Sequence, residues 1–425
     1  MKFQTVRGTK DILPAEIYKW QHIERTVRSV CERFGYTEIR TPVFEETALF
    51  ARGIGETTDV VGKEMFSFNP SMEGDAMDSI TLRPEMTASV MRAYLQHSLQ
   101  TLAPLTKVYY FAEMFRKERP QAGRQRQFWQ FGCECLGSTA AVSDAEVIAV
   151  MSLIYRELGI TSATMKLNSL GNLETRKTYR VALQDYFRPH FEKLDAVSKE
   201  RFDKNPLRIL DSKNQSLAEI ISDAPRLVDF LDDDSKKHFE TLQSHLTNLG
   251  IAFELDFKLV RGLDYYSRTA FELVSTDLGA QDALGGGGRY DGLSTALGSE
   301  SEVPAIGFAS GVERLLMVME KQNLFDHLKP QPPVLFIAAL GEAAVKVAMT
   351  EAYKLRAKGV RCEMDLLGRS LKSQMREANR SGATYTVVLG DDELEKGIVQ
   401  LRKMSDATQT QIALNEIIDK IQVGK

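Results

Sequence analysis

The chain has only four cysteines in 425 residues, and none of Cys31, Cys133, Cys135 and Cys362 stands in C-x-x-C spacing. A structural zinc ribbon is excluded on that count, and buried thiols in a reducing cytoplasm are the reading that fits. No run of about 18 apolar residues is present to cross a membrane. The opening residues, MKFQTVRGTK, show neither an apolar signal core nor an Arg/Ser-rich leader. Basic excess is missing as well: 54 Lys and Arg against 58 Asp and Glu give a formal charge of -4, unlike a protein that coats DNA. An RNA partner would have to be met by local patches. There is no Walker lysine in a glycine loop, no short repeat and no low-complexity tract. What remains is the composition of an ordinary folded protein, long enough for two or three domains.

Hydrophobic spacing predicts a helix after Pro14, with Ile17, Trp20, Ile23, Val27, Val30 and Phe34 on one face and Gly35 just past its end. A strand over 36–41 follows, then Pro42 and a short helix. Segment 51–62, ARGIGETTDVVG, is polar and glycine-punctuated, and reads as a mobile loop that closes over a ligand. A strand at 80–82 leads to a helix with Pro84 in its first turn. Ser143 and Glu146 have capping-box spacing before the apolar run 147–158. From about 173 to 250 charged helical segments dominate, including Asp232-Asp233-Asp234, and suggest an inserted helical subdomain. Strand patterns resume at 253–260 and 269–274, the glycines 285–288 read as a loop, and 305–316 reads as a strand running into a helix.

Pro330, Pro332 and Pro333 make a stiff linker. Residues 331–425 beyond it read β-α-β-α-β: strand VLFIAAL, helix 342–357, strand 360–364, helix 370–380, strand 385–389. This C-terminal α/β domain, with a mostly parallel or mixed sheet, has 14 Lys/Arg against 12 Asp/Glu, so charge alone does not make it an RNA binder.

The chemistry concentrates in 107–137, KVYYFAEMFRKERPQAGRQRQFWQFGCECLG, which reads as two strands joined by a loop. Strand alternation puts Phe128, Gln130, Gly132 and Glu134 on one face and Trp129, Phe131, Cys133 and Cys135 on the other. The second set is apolar core. The first, with a glycine that leaves room, is expected to floor a pocket. The loop carries Arg116, Lys117, Arg119, Arg124 and Arg126 against Glu118, and arginine forks suit phosphate oxygens. TLRPEMT (81–87) sets Glu85 and Thr87 at a strand-to-helix corner, where they either hold an ammonium group or dress a helix N-terminus. RGLDYYSRTAFEL (261–273) offers Arg261 for a phosphoryl transition state, with Tyr265 and Tyr266 beside it, or else a plain aromatic hairpin. In GVERLL (311–316), Arg314 sits in the first turn of a helix, a place for polyphosphate or a surface arginine. Three separated arginine sites without a Walker lysine suggest ATP on an antiparallel sheet.

FRKER with GRQRQFWQFGCE resembles motif 2 of the class II aminoacyl-tRNA synthetases, and GFASGVERL resembles their motif 3. Pro42 in IRTPVFEE sits where motif 1 has its proline. RGLDYYSRTAFE, GGGGRYDGL and RGTKDILP resemble peptides of the histidyl-tRNA synthetase family. The resemblance spans the chain and implies an α+β catalytic domain over 1–325, its mostly antiparallel sheet flanked by helices, and an anticodon-binding domain over 331–425. It implies activation of L-histidine by ATP with Mg2+, transfer to tRNA(His), and a homodimer. Carried over residue by residue, Arg116, Arg124, Arg261 and Arg314 would bind ATP, with Arg261 and Arg116 catalytic. Glu85, Met86, Thr87, Arg116, Gln130, Glu134, Arg261, Tyr265 and Tyr266 would bind histidine. Met86 stands where the family usually has glycine. The alternative is the non-catalytic regulatory subunit of ATP phosphoribosyltransferase, which resembles the synthetase core but typically lacks the C-terminal domain.

Overall fold

Trp20, Ile23, Val27 and Val30 are all buried on helix α1 (Ile17–Arg33), as expected of residues three and four apart; Ile17, predicted with them, is 36% exposed. The structure is a computed structural model that describes residues 3–54, 60–69, 79–210, 212, 214–260, 265–278, 283–328 and 332–421. Two compact units divide the chain, Met1–Leu328 and Lys329–Lys425.

In the first unit, strand β1 (Thr37–Glu38) is shorter than the 36–41 run, and its pairing ends before Pro42, which has no N–H for a ladder. Strands β2 (Phe44–Glu46), β3 (Phe66–Phe68) and β4 (Ile80–Leu82) make a small sheet of order β2-β4-β3. Helix α2 (Thr47–Ile54) takes the start of the segment read as a mobile loop, and Val60–Glu64 is a π-helical turn; residues 55–59 lie outside the described residues. Leu49 and Phe50, just before the segment, are buried against Ala88, while Arg52 within it is exposed. Helix α3 (Thr87–Gln96) starts three residues after Pro84, not at it.

The chemistry-bearing hairpin is β5 (Thr106–Phe115) and β6 (Gln127–Leu136). Helix α4 (Ala141–Glu157) follows, then β7 (Thr164–Ser169). The capping box expected from Ser143 and Glu146 is not formed. The helix begins at Ala141, so the Ser143 hydroxyl lies inside its first turn and donates back to the Ala140 carbonyl at 2.7 Å. Glu146 instead accepts from Lys107 at 2.8 Å.

Helices α5 (Leu173–Phe187), α6 (Ala196–Lys204) and α7 (Ala218–Ser222) enclose a core of their own around Tyr179, Leu183, Phe187 and Phe202. Helix α8 (Asp233–Asn248), inside the 173–250 insertion by sequence, instead buries Phe239, Leu242 and Leu246 in the main core with α4. Next come β8 (Glu254–Leu255), β9 (Ser267–Val274), β10 (Ala283–Arg289), the short helix α9 (Leu293–Ala296), β11 (Ala305–Gly311) and α10 (Val312–Lys321). The 253–260 run contributes only the two residues of β8. The glycines 285–288, read as a loop, run along the middle of β10.

The resulting eight-stranded sheet has the order β1-β5-β6-β11-β10-β9-β7-β8. Its central pairs, from β5·β6 through β7·β9, are antiparallel. One face lies against α1, α4 and α10, and this is where Trp129, Phe131, Cys133 and Cys135 go.

The second unit, taken by itself, has β12 (Leu335–Ala339), α11 (Glu342–Ala357), β13 (Cys362–Met364), α12 (Leu371–Arg380), β14 (Tyr385–Leu389), α13 (Asp391–Lys396), β15 (Ile398–Lys403) and β16 (Gln409–Ala413). Its sheet order is β13-β12-β14-β15-β16, with β13, β12 and β14 parallel and the last pairs antiparallel. The terminal hairpin was missed by sequence because Gln409, Thr410 and Gln411 give β16 no apolar alternation.

Candidate active site

Opposite the apolar core, the faces of β6, β11, β10 and β9 floor a cleft of about 390 Å³. Its lining joins residues far apart in sequence: Glu85, Thr87, Arg116, Gln130, Tyr265, Tyr266 and Arg314 all reach it. The alternation read on β6 holds, since Phe128 and Gln130 face the cleft.

One end is cationic. Arg116 donates through Nε to the Pro84 carbonyl at 2.9 Å and lies over the Phe128 ring, which leaves its fork directed by two fixed contacts. Arg124 pairs with Glu118 at 3.1 Å. Arg314, on α10, is oriented by the carbonyls of Ala283 at 2.8 Å and Gly123 at 3.3 Å. Burial and the neighbouring Arg124 hold the Arg314 guanidinium below its ordinary pKa, so an anion that neutralises both arginines gains from each. Arg314 opens a helix whose first-turn amides add to the same field.

The other end is rich in carboxyl and hydroxyl groups. Glu85 is buried, and its two oxygens accept the backbone amides of Thr87 at 2.6 Å and Ala88 at 2.9 Å. The carboxylate therefore dresses the N-terminus of α3, as one of its two sequence readings has it, and also lines the cleft. Burial raises its pKa, partly offset by those amides. Gln130 Oε1 is buried and accepts no hydrogen bond among the described residues, an acceptor in want of a donor.

Glu134 is not in the wall. It is fully buried, one layer below, where Oε1 accepts from the Thr87 hydroxyl at 2.9 Å and Oε2 from the Tyr290 hydroxyl at 2.5 Å. Burial pushes its carboxyl up to about 8, against the opposing pull of those two donors. The space for it comes from Gly307, its partner across the β6–β11 ladder: a Cβ there would stand 1.6 Å from Glu134 Oε2. Contrary to the expectation from sequence, Gly132 does not open the floor to a ligand: Tyr110 opposite fills its place, its hydroxyl 2.5 Å and its ring 2.7 Å from a Cβ.

Met86 also departs from expectation. Its side chain is buried in the apolar cluster of Val90, Met91, Tyr94 and Met114, since it precedes α3 on the core side, and it does not line the cleft. Arg261 lies outside the described residues. Sequence reasoning missed Tyr290, which lines the cleft and holds Glu134. The signal was there: between Arg289 and Asp291, alternation turns Tyr290 away from both.

An antiparallel sheet with a motif 2 hairpin, a motif 3 strand–helix and arginines converging from both on one cleft defines the catalytic core of a class II aminoacyl-tRNA synthetase. The model of the histidyl-tRNA synthetase family matches residues 8–315, and that of an anticodon binding domain matches 335–423. The histidine–tRNA ligase of Chloroherpeton thalassium is 61% identical over 422 residues, covering 99% of this chain and 98% of that one. That of Chlorobaculum parvum is 51% identical over 418 residues, covering 98% and 96%. The crystal structure of apo histidyl-tRNA synthetase from S. aureus superposes with a TM-score of 0.82 at 36% identity, covering 99% of each chain. A Bacillus halodurans structure titled as an ATP phosphoribosyltransferase regulatory subunit/histidyl-tRNA synthetase gives 0.64 at 21% identity, over 91% of this chain and 98% of that one, a likeness of fold alone. The chain belongs to the histidyl-tRNA synthetase family, and the regulatory-subunit alternative is the less supported. Among the described residues, no helix is long and apolar enough to cross a membrane.

Proposed function

We propose that the chain activates L-histidine with ATP, giving histidyl-adenylate and pyrophosphate, and passes the histidyl group to the 3′ end of tRNA(His). The two-ended cleft carries this reading: Arg116, Arg124 and Arg314 at one end, acceptors at the other. The amino acid's ammonium group is offered Glu85, Thr87 and Gln130. Tyr265, Tyr266 and Tyr290 line the space above Glu134, where an imidazole N–H and ring nitrogen meet tyrosine hydroxyls, with the Glu134 carboxyl behind them orienting Tyr290. The histidine carboxylate attacks the α-phosphorus and pyrophosphate departs, so charge grows where Arg116 and, by family resemblance, Arg261 are assigned. Catalysis here is positioning and charge stabilisation.

Mg2+ would be carried chiefly by the triphosphate, with Glu272 and Glu118 among the carboxylates lining the cleft beside the arginines; bound there, it would neutralise the departing pyrophosphate. A homodimer is proposed from the motif 1 resemblance at Pro42, next to which Val43 and Phe44 are exposed. The C-terminal unit is assigned to the anticodon, and the cytoplasm is the proposed compartment.

Histidine-dependent exchange of pyrophosphate into ATP by the purified chain tests the reading. Exchange with histidine and no other amino acid is the expected result, and its absence would overturn the function.

A further inference from the structure

The ladder between β9 and β10 contains a shift on the way to the cleft. Gly288 pairs with Ala270, yet the next pair is Arg289 with Ser267. Arg268 and Thr269 are thus extra on β9, and Arg268 takes a φ of 48°, in the left-handed region that a non-glycine residue enters only when the surroundings enforce it. Bulges of this kind redirect the side chains on either side. Here those are Tyr266, immediately before β9, and Tyr290, immediately after β10; both line the cleft.

Arg268 of the bulge is bound to Asp234 at 2.6 Å and, through its backbone, to Gly171 and Leu170; a further carboxylate, distant in sequence and outside every motif, ties the bulge to the strand it faces. Asp144, in the first turn of α4, is fully buried. Its Oδ2 accepts the hydroxyl of bulged Thr269 at 2.5 Å and His238 Nε2, from α8, at 2.9 Å. Arg289, fully buried at the facing side of the shift, binds Oδ1 through Nη2 and approaches Oδ2 through Nε at 3.4 Å. The same guanidinium reaches the Ser138 carbonyl at 2.7 Å and Asp291 at 3.0 Å, and Asp291 accepts the Ala305 amide at 2.9 Å. Arg289 and Asp291 are therefore fixed on one side of the strand end. Tyr290 is left pointing to the other, its amide on the Ala305 carbonyl at 2.8 Å and its hydroxyl on Glu134.

We propose that Asp144 is a positioning residue for the amino-acid end of the cleft: by tying Thr269 to Arg289 it pins the β9–β10 bulge, and the bulge sets where Tyr266 and Tyr290 stand. The inference rests on reading that end as the histidine site. It makes α4 and α8, remote from the ligand, part of the recognition apparatus.

Asp144→Asn leaves buried Arg289 with a weaker partner and is expected to cost stability, so the deciding variant is Thr269→Val, which removes one hydroxyl and keeps the shape. In pyrophosphate exchange, Thr269→Val should raise the histidine KM about 3- to 10-fold, the scale of one lost hydrogen bond. The ATP KM should stay within about twofold, and Thr269→Ser should restore the wild-type value. Amide hydrogen exchange of full-length chain should quicken over residues 286–291 in Thr269→Val, with the β5–β6 hairpin unchanged. An unchanged histidine KM, or equal changes in both KM values with a lowered Tm, would overturn the proposal. Should the wild type show no histidine-dependent exchange, the function fails by itself; faster amide exchange over 286–291 then still supports the bulge's dependence on Thr269, and unaltered exchange there defeats it.

Discussion

Tyr290 donates its hydroxyl to Glu134 Oε2 at 2.5 Å, across a gap that exists because Gly307 has no side chain. A residue of one signature peptide thus completes a carboxyl supplied by motif 2. Tyr290→Phe removes the shorter of the two side-chain donors holding Glu134 and one of the groups facing the ring. The histidine KM should rise roughly 3- to 10-fold, the scale of one lost hydrogen bond between neutral groups, with the ATP KM little moved. An unaltered histidine KM would count against this placement.

Gly307→Ala should be damaging out of proportion to one methyl. The new Cβ would fall on the Glu134 carboxylate and 2.6 Å from the Cys133 carbonyl, which is backbone and cannot swing aside. A loss of about 1–3 kcal/mol in urea unfolding is expected, together with weakened histidine use in whatever fraction folds. Wild-type stability in this variant would mean that the strands part more easily than their ladder implies.

Glu134 also makes stability depend on pH, in a direction unusual for a carboxyl. Its folded pKa, about 8, lies above the ordinary 4.5. The folded state therefore keeps a proton that the unfolded chain releases, and stability falls as pH rises from about 4.5 through about 8. Glu313, pushed up to about 7 by burial against the amide of Trp129, acts in the same sense. Glu134→Gln should flatten the decline, so that its Tm relative to wild type improves steadily between pH 5 and 8.5. Parallel curves would show that Glu134 is ionised in the folded state well below pH 8.

A chain ending at Leu328 contains the first compact unit entire. It should keep histidine-dependent pyrophosphate exchange while charging tRNA poorly, because the match to an anticodon binding domain lies wholly beyond it. Charging at the full-length rate would remove the anticodon role from the second unit.

The parts of this architecture that sequence revealed share a property: their cause is local. Strand alternation on 128–135 needed only a period of two, and it separated Gln130 from Trp129 correctly. The spacing of Trp20, Ile23, Val27 and Val30 needed only the helical period. What escaped depends on partners remote in sequence. The glycines 285–288 look like a loop until β9 and β11 supply their ladders. Glu134 looks like a wall residue until Thr87 and Tyr290 cover it. Asp144 carries no local mark at all, since its importance comes from Thr269, Arg289 and His238 meeting it from three other elements. Glu85 shows the intermediate case, because both of its readings were open in TLRPEMT, and the fold shows it on the amides of α3 while placing it at the cleft.

The pairing of β6 with β11 joins Gln130 to Gly311, about 180 residues later in synthesis. At roughly 5–20 residues per second, a ribosome takes on the order of 10–40 s to cover that interval. Through all of it the β5–β6 hairpin has no neighbour on its β6 edge, and two strands alone are barely stable in water. Phe131, Cys133 and Cys135 can meet α1 and α4 early, but the edge of the strand that carries Gln130 stays without its ladder partner until β11 emerges, so the strand richest in site residues is also the one that waits longest for its neighbour.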